Sequence, residues 1–342
     1  MSPLKASWLA ELIITWWGPR YDCTALHEII TKQMGELTLK DTLTGLLVPA
    51  FDVRNPGTFL FSSFHKVLIR DQQLKDICIA TTAAPTYFRP YCIIWPPIDS
   101  KTTDPHQIEK DTYELIDGGI AANNPSLHAI WNIVMRTRQR QRENTAAGHP
   151  DHVLNLKDCI VISVGTGGAV RKQGYTAEEC GKWGAIGWLK NGSYNPLIDM
   201  LTHANAKLIY TTTAFLFHLQ GCEGNFLRIE PSEEHNKALK PMDDTSTENM
   251  HNLIRVGKDL LEAPLSRIDF TKGVWKHEHI LQGDTTNKQG GSTSYNETKE
   301  TQTNEKELER FAKILSEERK KRLENQKMEG QVKAPEAPRE EA

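Results

Sequence analysis

The hydrophobic positions of the chain alternate between strand-like runs and helical spacings from about residue 18 to residue 280. Residues 45–53 (GLLVPAFDV) and 58–64 (TFLFSSF) are apolar runs bounded by turn residues, which is typical of strands. Residues 71–83 carry apolar side chains at helical spacing, and Pro85 ends that pattern. Strands that alternate with helices in this way predict an α/β fold with helices on the faces of a sheet.

The same alternation continues in the second half of the chain. Residues 113–116 predict a short strand, and Pro125 suits the first position of the helix that follows. Residues 159–164 (CIVISV) form a nearly continuous apolar run, as expected of a central strand that is covered on both faces. Residues 197–219 predict a long helix, and residues 226–229 predict a further short strand. No internal repeat is visible.

The amino-terminal segment 1–17 has the length and apolar character of a signal peptide. Glu11 interrupts its apolar run, however, and no small-residue cleavage site follows. An amphipathic helix or a piece of buried structure is therefore the favoured interpretation. No run in the chain approaches the roughly 18 apolar residues that a membrane-spanning helix requires. We place the protein in the cytoplasm, with a membrane surface as an alternative.

The chain changes character after the predicted α/β domain, which we assign to residues 18–281. Residues 282–304 contain no aliphatic side chain larger than threonine, which indicates a flexible linker. Residues 305–327 have a narrow apolar stripe among many charges, and this predicts an amphipathic helix that docks on the main domain or binds a partner. Residues 328–342 carry prolines and charges and are expected to be disordered.

Charge and cysteine usage exclude several classes of protein. The 342 residues include 41 Lys and Arg against 44 Asp and Glu, a net charge of -3 that suits neither a DNA-coating protein nor a polyacidic one. The basic run 136–142 (RTRQRQR) ends a predicted helix without interleaved aromatic residues, so we expect no nucleic-acid partner. The six cysteines include no CxxC pair, which favours buried thiols over a zinc site.

Three candidate sites are weak. Residues 165–168 (GTGG) follow an apolar strand, but they lack both the GxGxxG spacing and the P-loop lysine, so a tight turn is favoured over nucleotide binding. His277 and His279 have no neighbouring third ligand for a metal ion. Catalysis by a cysteine is discounted because no cysteine sits at a turn from a strand into a helix. We expect no metal and no other cofactor.

The fourth candidate is Asp117, which ends a predicted strand. Gly118 and Gly119 follow it, and two glycines allow the backbone to turn sharply. The carboxylate is then expected at the carboxyl edge of the sheet, where α/β proteins bind ligands and place catalytic groups. From the spacing alone, a catalytic carboxylate and a turn aspartate that only caps a loop are equally good interpretations.

Several ordered motifs carry a family resemblance. Residues 117–125 (DGGIAANNP) resemble the DG[GA]-x-x-x-NNP stretch of the plant patatin-like lipid acyl hydrolases. Residues 81–88 (TTAAPTYF) are similar to the [TS]-SAAPTYF segment of that family, and residues 163–167 (SVGTG) to its S-[LV]-GTG strand end. Further matches in the same order are residues 18–22 (GPRYD), Asp243-Asp244 with Asn249, and residues 307–320. From about Gly18 to Lys321, the chain is identified as a member of this family.

The resemblance implies a three-layer α/β/α fold and an esterase chemistry that needs no cofactor. In this family a serine on a G-x-S-x-G elbow is activated by the aspartate of the DG[GA] motif, and water then hydrolyses the acyl-enzyme. A glycine-rich loop supplies N–H groups to the oxyanion. Carried over to this chain, Asp117 is the general base, and Gly118 and Gly119 shape its turn. Membrane lipids or other acyl esters are the implied substrates, with peripheral contact to membranes. Vacuolar members of the family also make the vacuole an alternative location.

The chain departs from the family pattern at the nucleophile. No serine has glycine at both i−2 and i+2, and no segment resembles the oxyanion loop. The family places both features upstream of the point where this sequence joins it, so we expect an N-terminally truncated chain that is inactive alone. Apolar surface left uncovered predicts self-association. The alternative hypothesis is a non-catalytic storage or lipid-surface-binding relative in which Asp117 has only a structural role.

Overall fold

The computed structural model describes residues 18–64, 71–95, 111–146, 155–167, 174–192, 195–232, 235, 243–268, 270 and 302–332. The chain divides into two compact units. The first comprises residues 1–155 with 175–216, and the second comprises residues 156–174 with 217–342. Both units combine helices with strands, so the mixed α/β class predicted from the hydrophobic pattern is confirmed.

An antiparallel sheet forms the centre of the first unit. Its strands, in chain order, are β1 (Leu47–Asp52), β2 (Gly57–Ser62), β3 (Tyr91–Ile94) and β4 (Thr112–Asp117). Their order across the sheet is β2-β1-β4-β3, and each neighbouring pair is antiparallel. The register places Ala50 of β1 between Phe59 of β2 and Asp117 of β4. Asp117, the last residue of β4, therefore lies beside β1, one of the two inner strands of the sheet.

The first unit also contains helices of several lengths, the last of which ends within the second unit. They are α1 (Thr24–Met34), α2 (Leu74–Thr81), α3 (Gly119–Ala122), α4 (Ser126–Ala146), α5 (Ala177–Cys180), α6 (Ala185–Leu189) and α7 (Pro196–Leu219), with a 3-10 turn at Leu39–Asp41. The predicted helix over 197–219 is confirmed in α7. The basic run 136–142 lies inside α4 rather than at its end, so that predicted boundary is wrong. None of the described helices is long and apolar enough to cross a membrane.

The core of the first unit lies between the sheet and α2. Its buried members are Leu39, Ala50, Phe61, Ile77, Ala80, Ile93 and Leu115. Ile77 and Ala80 share one face of α2 because they are three residues apart, and Leu115 lies on β4. Burial of each large side chain of this kind contributes about 1.5–3 kcal/mol to folding. The core therefore fixes β4, and with it the position of Asp117.

A pair of parallel strands, β5 (Val161–Val164) and β6 (Phe226–Ile229), organises the second unit. The described residues of this unit also include the helices α8 (Thr247–Glu262) and α9 (Asn304–Val332). Short 3-10 turns at Leu156–Asp158 and Glu223–Asn225 precede the two strands. Leu227, Ile229 and Phe311 form a buried cluster, so the first turns of α9 pack against β6.

Two predictions about the second unit need correction. In β5, Ile162 and Val164 are 42% and 69% exposed, so the expectation of a strand covered on both faces is wrong for the described residues. An apolar run shows only that a strand is suited to burial. Whether the strand is buried depends on which segments, distant in the sequence, pack against its faces. The helix predicted over 305–327 continues to Val332, five residues into the segment 328–342 that we expected to be disordered.

Several predictions fall outside the described residues. They concern the segment 1–17, most of the linker 282–304, the residues after 332, and the pair His277 and His279.

Candidate active site

Asp117 is held at the point where β4 ends. Its backbone N–H donates to the carbonyl oxygen of Ala83 at 3.0 Å, and its Cα pairs with that of Ala50 on β1. Ala83 belongs to the segment 81–88, and it is itself buried. Two of the motifs found in the sequence, residues 81–88 and residues 117–125, therefore meet at the backbone of Asp117.

Gly118 is required by a close approach of two backbone segments. Its φ of -64° is open to any residue, so the conformational freedom that the sequence suggested is not the reason for a glycine here. A Cβ at this position would lie 2.3 Å from the carbonyl oxygen of Pro49 and 2.6 Å from its carbonyl carbon. Both distances are far below van der Waals contact. The bare Cα thus lets the strand end lie directly on β1.

Pro49 is the point of contact that the sequence analysis missed. Its carbonyl oxygen also accepts a hydrogen bond of 2.7 Å from the Thr81 hydroxyl, so the end of α2 and the Asp117 turn meet at one peptide. Pro49 has no backbone N–H to donate to β4. None is needed, because the pairing between β1 and β4 starts one residue later, at Ala50. The proline within an otherwise apolar strand is the sequence signal that could have indicated a contact at Pro49.

One oxygen of the Asp117 carboxylate is fixed and the other is available. Oδ1 accepts a hydrogen bond of 2.8 Å from the backbone N–H of Gly119. Within the described part of the chain, Oδ2 accepts no hydrogen bond. Burial raises the pKa of Asp117, and the N–H of Gly119 partly opposes this. A carboxylate that is oriented through one oxygen, with a raised pKa, has the properties of a general base.

The loop after Ala83 ties a third motif to the same place. Thr86 has a φ of +74°, which is rare for a β-branched residue and costs about 1–3 kcal/mol. Its carbonyl oxygen accepts from the N–H of Arg20 at 2.9 Å, and that of Tyr87 accepts from the N–H of Tyr21 at 3.0 Å. The rings of Tyr21 and Tyr87 also stack with centroids 6.3 Å apart. The segment 18–22 is thereby attached to the loop that supports Asp117.

The GTG turn after β5 is less suited to phosphate than its glycines suggest. Gly165 donates its N–H to the carbonyl oxygen of Ile229 at 2.7 Å, which continues the strand ladder. A Cβ on Gly165 would overlap the Glu230 carboxylate, and Arg228 forms an ion pair with that carboxylate. The Glu230 carboxylate therefore already occupies the space beside Gly165 that a bound phosphate would need. The tight-turn interpretation is thus favoured for Gly165, Thr166 and Gly167, while Gly168 lies outside the described residues.

Among the described residues, no serine hydroxyl donates to Asp117. A different serine has a basic partner: the hydroxyl oxygen of Ser232 lies 2.8 Å from Nδ1 of His235. The two residues also exchange backbone contacts, because each N–H points to the side chain of the other at 3.3–3.4 Å. These reciprocal contacts are local, between two residues three positions apart in the chain. They explain the pair without catalysis.

Metal and thiol chemistry find little support in the described part of the chain. No group of three or more His, Cys, Asp or Glu side chains there could hold a metal ion. Burial raises the pKa of the thiols of Cys78, Cys159 and Cys222, and this lowers the fraction of reactive thiolate at neutral pH. The site is therefore built around one carboxylate.

Comparison with known proteins confirms the family that the motifs indicate. A family model described as patatin-like phospholipase matches residues 4–130, and so includes most of the segment 1–17 that the motifs did not cover. The chain is 31% identical over 326 residues to Patatin-like protein 1 of Oryza sativa subsp. indica, covering 94% of this chain and 70% of that protein.

Two further relatives give the same result. The chain is 33% identical over 307 residues to Patatin-like protein 2 of Oryza sativa subsp. japonica, covering 89% of this chain and 68% of that protein. It is 32% identical over 307 residues to Patatin-like protein 3 of Arabidopsis thaliana, with 89% and 64% covered.

Proposed function

Because this chain belongs to the patatin-like phospholipase family, whose members are lipolytic acyl hydrolases, we propose that Asp117 is the general base of a Ser-Asp dyad. The second part of the proposal is that these 342 residues contain the base without its serine. The polypeptide is then inactive alone towards ester bonds. We also propose that it contacts membranes peripherally, since lipids are the substrate class of the family.

The observation that carries the proposal is the state of the Asp117 carboxylate. Its Oδ1 is held by the N–H of Gly119 at 2.8 Å, which leaves Oδ2 to accept a proton. In the reaction, Oδ2 takes the proton of a serine hydroxyl as the serine oxygen attacks the ester carbonyl. The protonated carboxyl then gives this proton to the departing alcohol. In the second half of the reaction, Oδ2 takes a proton from the water molecule that attacks the acyl-enzyme. The protonated carboxyl then gives this proton to the departing serine oxygen, and the fatty acid is released. Burial, which raises the pKa of Asp117, strengthens it as a base.

Gly118, Pro49 and Thr81 are proposed as positioning residues. They do not touch the reacting atoms, but they fix the strand end on which the carboxylate is mounted. A displacement of this turn by a few tenths of an ångström would change the distance from Oδ2 to the serine hydroxyl. Proton transfer requires heavy atoms within about 2.6–3.2 Å of each other, so the rate is expected to depend on this support.

The nucleophile has to come from polypeptide other than these 342 residues, because no serine in them stands in a G-x-S-x-G sequence. The short distance between Ser232 and His235 is explained by their local contacts, as described above. The proposal therefore separates into two testable parts. The first is that Asp117 acts as a base once an elbow serine is present, and the second is that the chain reacts with no serine reagent by itself.

A chimera tests the first part. A family segment that carries the G-x-S-x-G elbow and the oxyanion loop is fused ahead of residue 18, and hydrolysis of a short-chain p-nitrophenyl ester is measured. Asp117→Asn is expected to lower kcat by roughly 10²–10⁴-fold, the usual contribution of a general base.

Asp199→Asn is the matched control for this experiment. Burial also raises the pKa of Asp199, and a backbone N–H, that of Asn195, donates to it at 3.1 Å. Its substitution should leave kcat within about twofold of the parent chimera. A folded Asp117→Asn chimera with unchanged kcat would show that Asp117 is only structural, as the alternative of a non-catalytic relative requires.

A further inference from the structure

Helix α4 carries large apolar and basic residues along one line of its surface. Trp131 and Met135 are 56% and 49% exposed, and Arg138 is exposed as well. At 100° per residue, positions 131, 135, 138 and 142 fall within about 60° of one another around the helix axis. Arg142 is the last of the four and follows Trp131 by about 16 Å along the helix. We call these four residues the α4 face.

The α4 face is turned away from the sheet of the first unit. On another side of the helix, Oδ1 of Asn132 accepts a hydrogen bond of 3.4 Å from the hydroxyl of Ser62, the last residue of β2. The guanidinium of Arg136 lies over the ring of Phe64 at 4.5 Å. Both contact positions are about 100–140° from Trp131 around the axis. The helix therefore contacts β2 and the residues after it through a different side, and the α4 face points elsewhere.

The charge of α4 is concentrated and positive. The helix contains four arginines and one glutamate in 21 residues, whereas the whole chain has a net charge of -3. Glu143 is the acidic residue, and it lies about 110° from the centre of the α4 face. Arg138 and Arg142 belong to the face itself. A basic helix with exposed tryptophan has the composition of helices that lie on anionic membranes.

The size of the apolar part favours a lipid surface over a protein partner. Large side chains bury about 150–250 Å² each, so the exposed parts of Trp131 and Met135 amount to roughly 200 Å². A standard protein interface buries about 800 Å² per partner and needs a packed centre. A bilayer needs no complementary shape, and tryptophan is enriched where membranes meet water. Single-stranded nucleic acid is disfavoured because no aromatic residue is interleaved with the arginines.

We propose that the α4 face binds an anionic lipid surface. Trp131 and Met135 enter the headgroup region, and Arg138 and Arg142 pair with the phosphates and carboxylates of the lipids. Binding thus combines an apolar and an electrostatic contribution, and stable attachment to a membrane generally needs two such signals. The inference rests on the proposed function, because it locates the peripheral membrane contact proposed above.

The α4 face is connected to the Asp117 turn by a short, fixed stretch of chain. Helix α4 begins at Ser126, and α3 is the single helix between it and Asp117. The side chain of Asn124 fixes the start of α4, because its Oδ1 accepts from the N–H of Ser126 at 3.2 Å and from its hydroxyl at 2.6 Å. Attachment through α4 would therefore hold the Asp117 turn near the surface that carries lipid substrates.

Co-sedimentation of the full 342-residue chain with vesicles tests the lipid partner. Binding to phosphatidylcholine vesicles with about 30 mol% phosphatidylserine should be at least about tenfold stronger than binding to phosphatidylcholine alone. Raising the salt from about 0.1 M to about 1 M shortens the Debye length from roughly 10 Å to roughly 3 Å and should release most of the chain. Equal binding to both vesicles, or binding to neither, overturns the proposal.

Charge reversal tests whether α4 is the binding element. Arg138→Glu should weaken binding to the phosphatidylserine vesicles by more than about tenfold, because each basic residue near an anionic membrane contributes about fivefold. Lys32→Glu is the matched control: Lys32 is an exposed residue of α1 in the same unit, and its reversal changes the net charge equally. Equal losses in the two variants, each folded by far-ultraviolet circular dichroism, overturn the assignment to α4.

Quenching by brominated phosphatidylcholine tests the depth of Trp131. The chain has eight tryptophans, and Trp131→Phe, which keeps an aromatic ring, should remove most of the quenching in phosphatidylserine-containing vesicles. Unchanged quenching would show that another tryptophan enters the bilayer, and it overturns the proposal. Arg138-dependent binding to single-stranded RNA by a chain that binds no vesicles overturns it too, and assigns the face to nucleic acid.

These outcomes are separable from those of the proposed function. Vesicle binding that is insensitive to Arg138→Glu and Trp131→Phe leaves peripheral membrane contact in place and removes only the role of α4. A chain that binds no vesicle at all removes both. In either case the test of Asp117 as a base is unaffected, because the chimera is assayed on a soluble p-nitrophenyl ester.

Discussion

Substituting Gly118 by alanine tests whether a backbone contact holds Asp117 in place. The new methyl group would lie 2.3 Å from the carbonyl oxygen of Pro49 and 2.6 Å from its carbonyl carbon. Since both are backbone atoms, either β1 or the end of β4 has to move. Overpacking of this kind costs about 1–3 kcal/mol, and the buried Ala50 beside Pro49 leaves little room for relief. At roughly 2–4 °C per kcal/mol for a domain of this size, Tm should fall by about 2–12 °C.

Thermal unfolding followed by far-ultraviolet circular dichroism measures this effect against two other glycines. A Cβ on Gly119 would lie 3.2 Å from Oδ1 of Asp117, a side-chain atom that can shift, so Gly119→Ala should cost less than Gly118→Ala. Gly184, which belongs to the same unit, has no atom within 4 Å of an added Cβ, and its φ is -81°. Gly184→Ala should stay within about 0.5 kcal/mol of the parent. Equal Tm values for Gly118→Ala and Gly184→Ala would refute the close approach.

Three further substitutions give measurable outcomes. Burial raises the pKa of Asp117 in the folded chain above its unfolded value near 3.8, so the folded state binds this proton more tightly and its stability falls as pH rises through that window. Asp117→Asn should therefore raise Tm at neutral pH and have little effect well below pH 3.8; a lower Tm at neutral pH would contradict this. Tyr91→Phe removes a hydrogen bond of 2.8 Å to the Asp76 carboxylate and should cost about 1.5–3 kcal/mol in urea unfolding, whereas a loss below about 0.5 kcal/mol would show that the bond is not formed. Phe311→Ala should cost about 3–5 kcal/mol because Phe311 is 1% exposed, whereas Leu315→Ala at a half-exposed position of the same helix should cost far less; equal losses would mean that α9 does not pack as described.

The local pattern of the sequence predicted the elements that carry the site. The run 113–116 corresponds to β4, and the helical spacing over 71–83 corresponds to α2. These predictions succeed because both elements bury one face, and burial imposes a period on the sequence. The position of Asp117 at a strand end follows from the same pattern together with the glycines after it.

Long-range contacts were beyond the reach of the sequence. Gly118 was expected to provide turn freedom, but its neighbour in space is Pro49, a residue far away along the chain. The exposure of Ile162 and Val164 was also not predictable, because the local sequence of a strand does not show which distant segment packs on it. The reach of α9 to Val332 was missed for a simpler reason. Its last turns have few apolar residues, so a helix could not be told from a charged tail.

Labelling of the purified 342-residue chain with a fluorophosphonate is the most direct test of a base without its serine. A folded sample should give no adduct, either in the parent or in Asp117→Asn, while the elbow-bearing chimera is labelled under the same conditions. An adduct on the parent that disappears in Asp117→Asn would contradict this, because it would show that a serine of this chain works with Asp117. An adduct on Ser232 in both chains would contradict it too, and would assign the reactivity to the pair of Ser232 and His235.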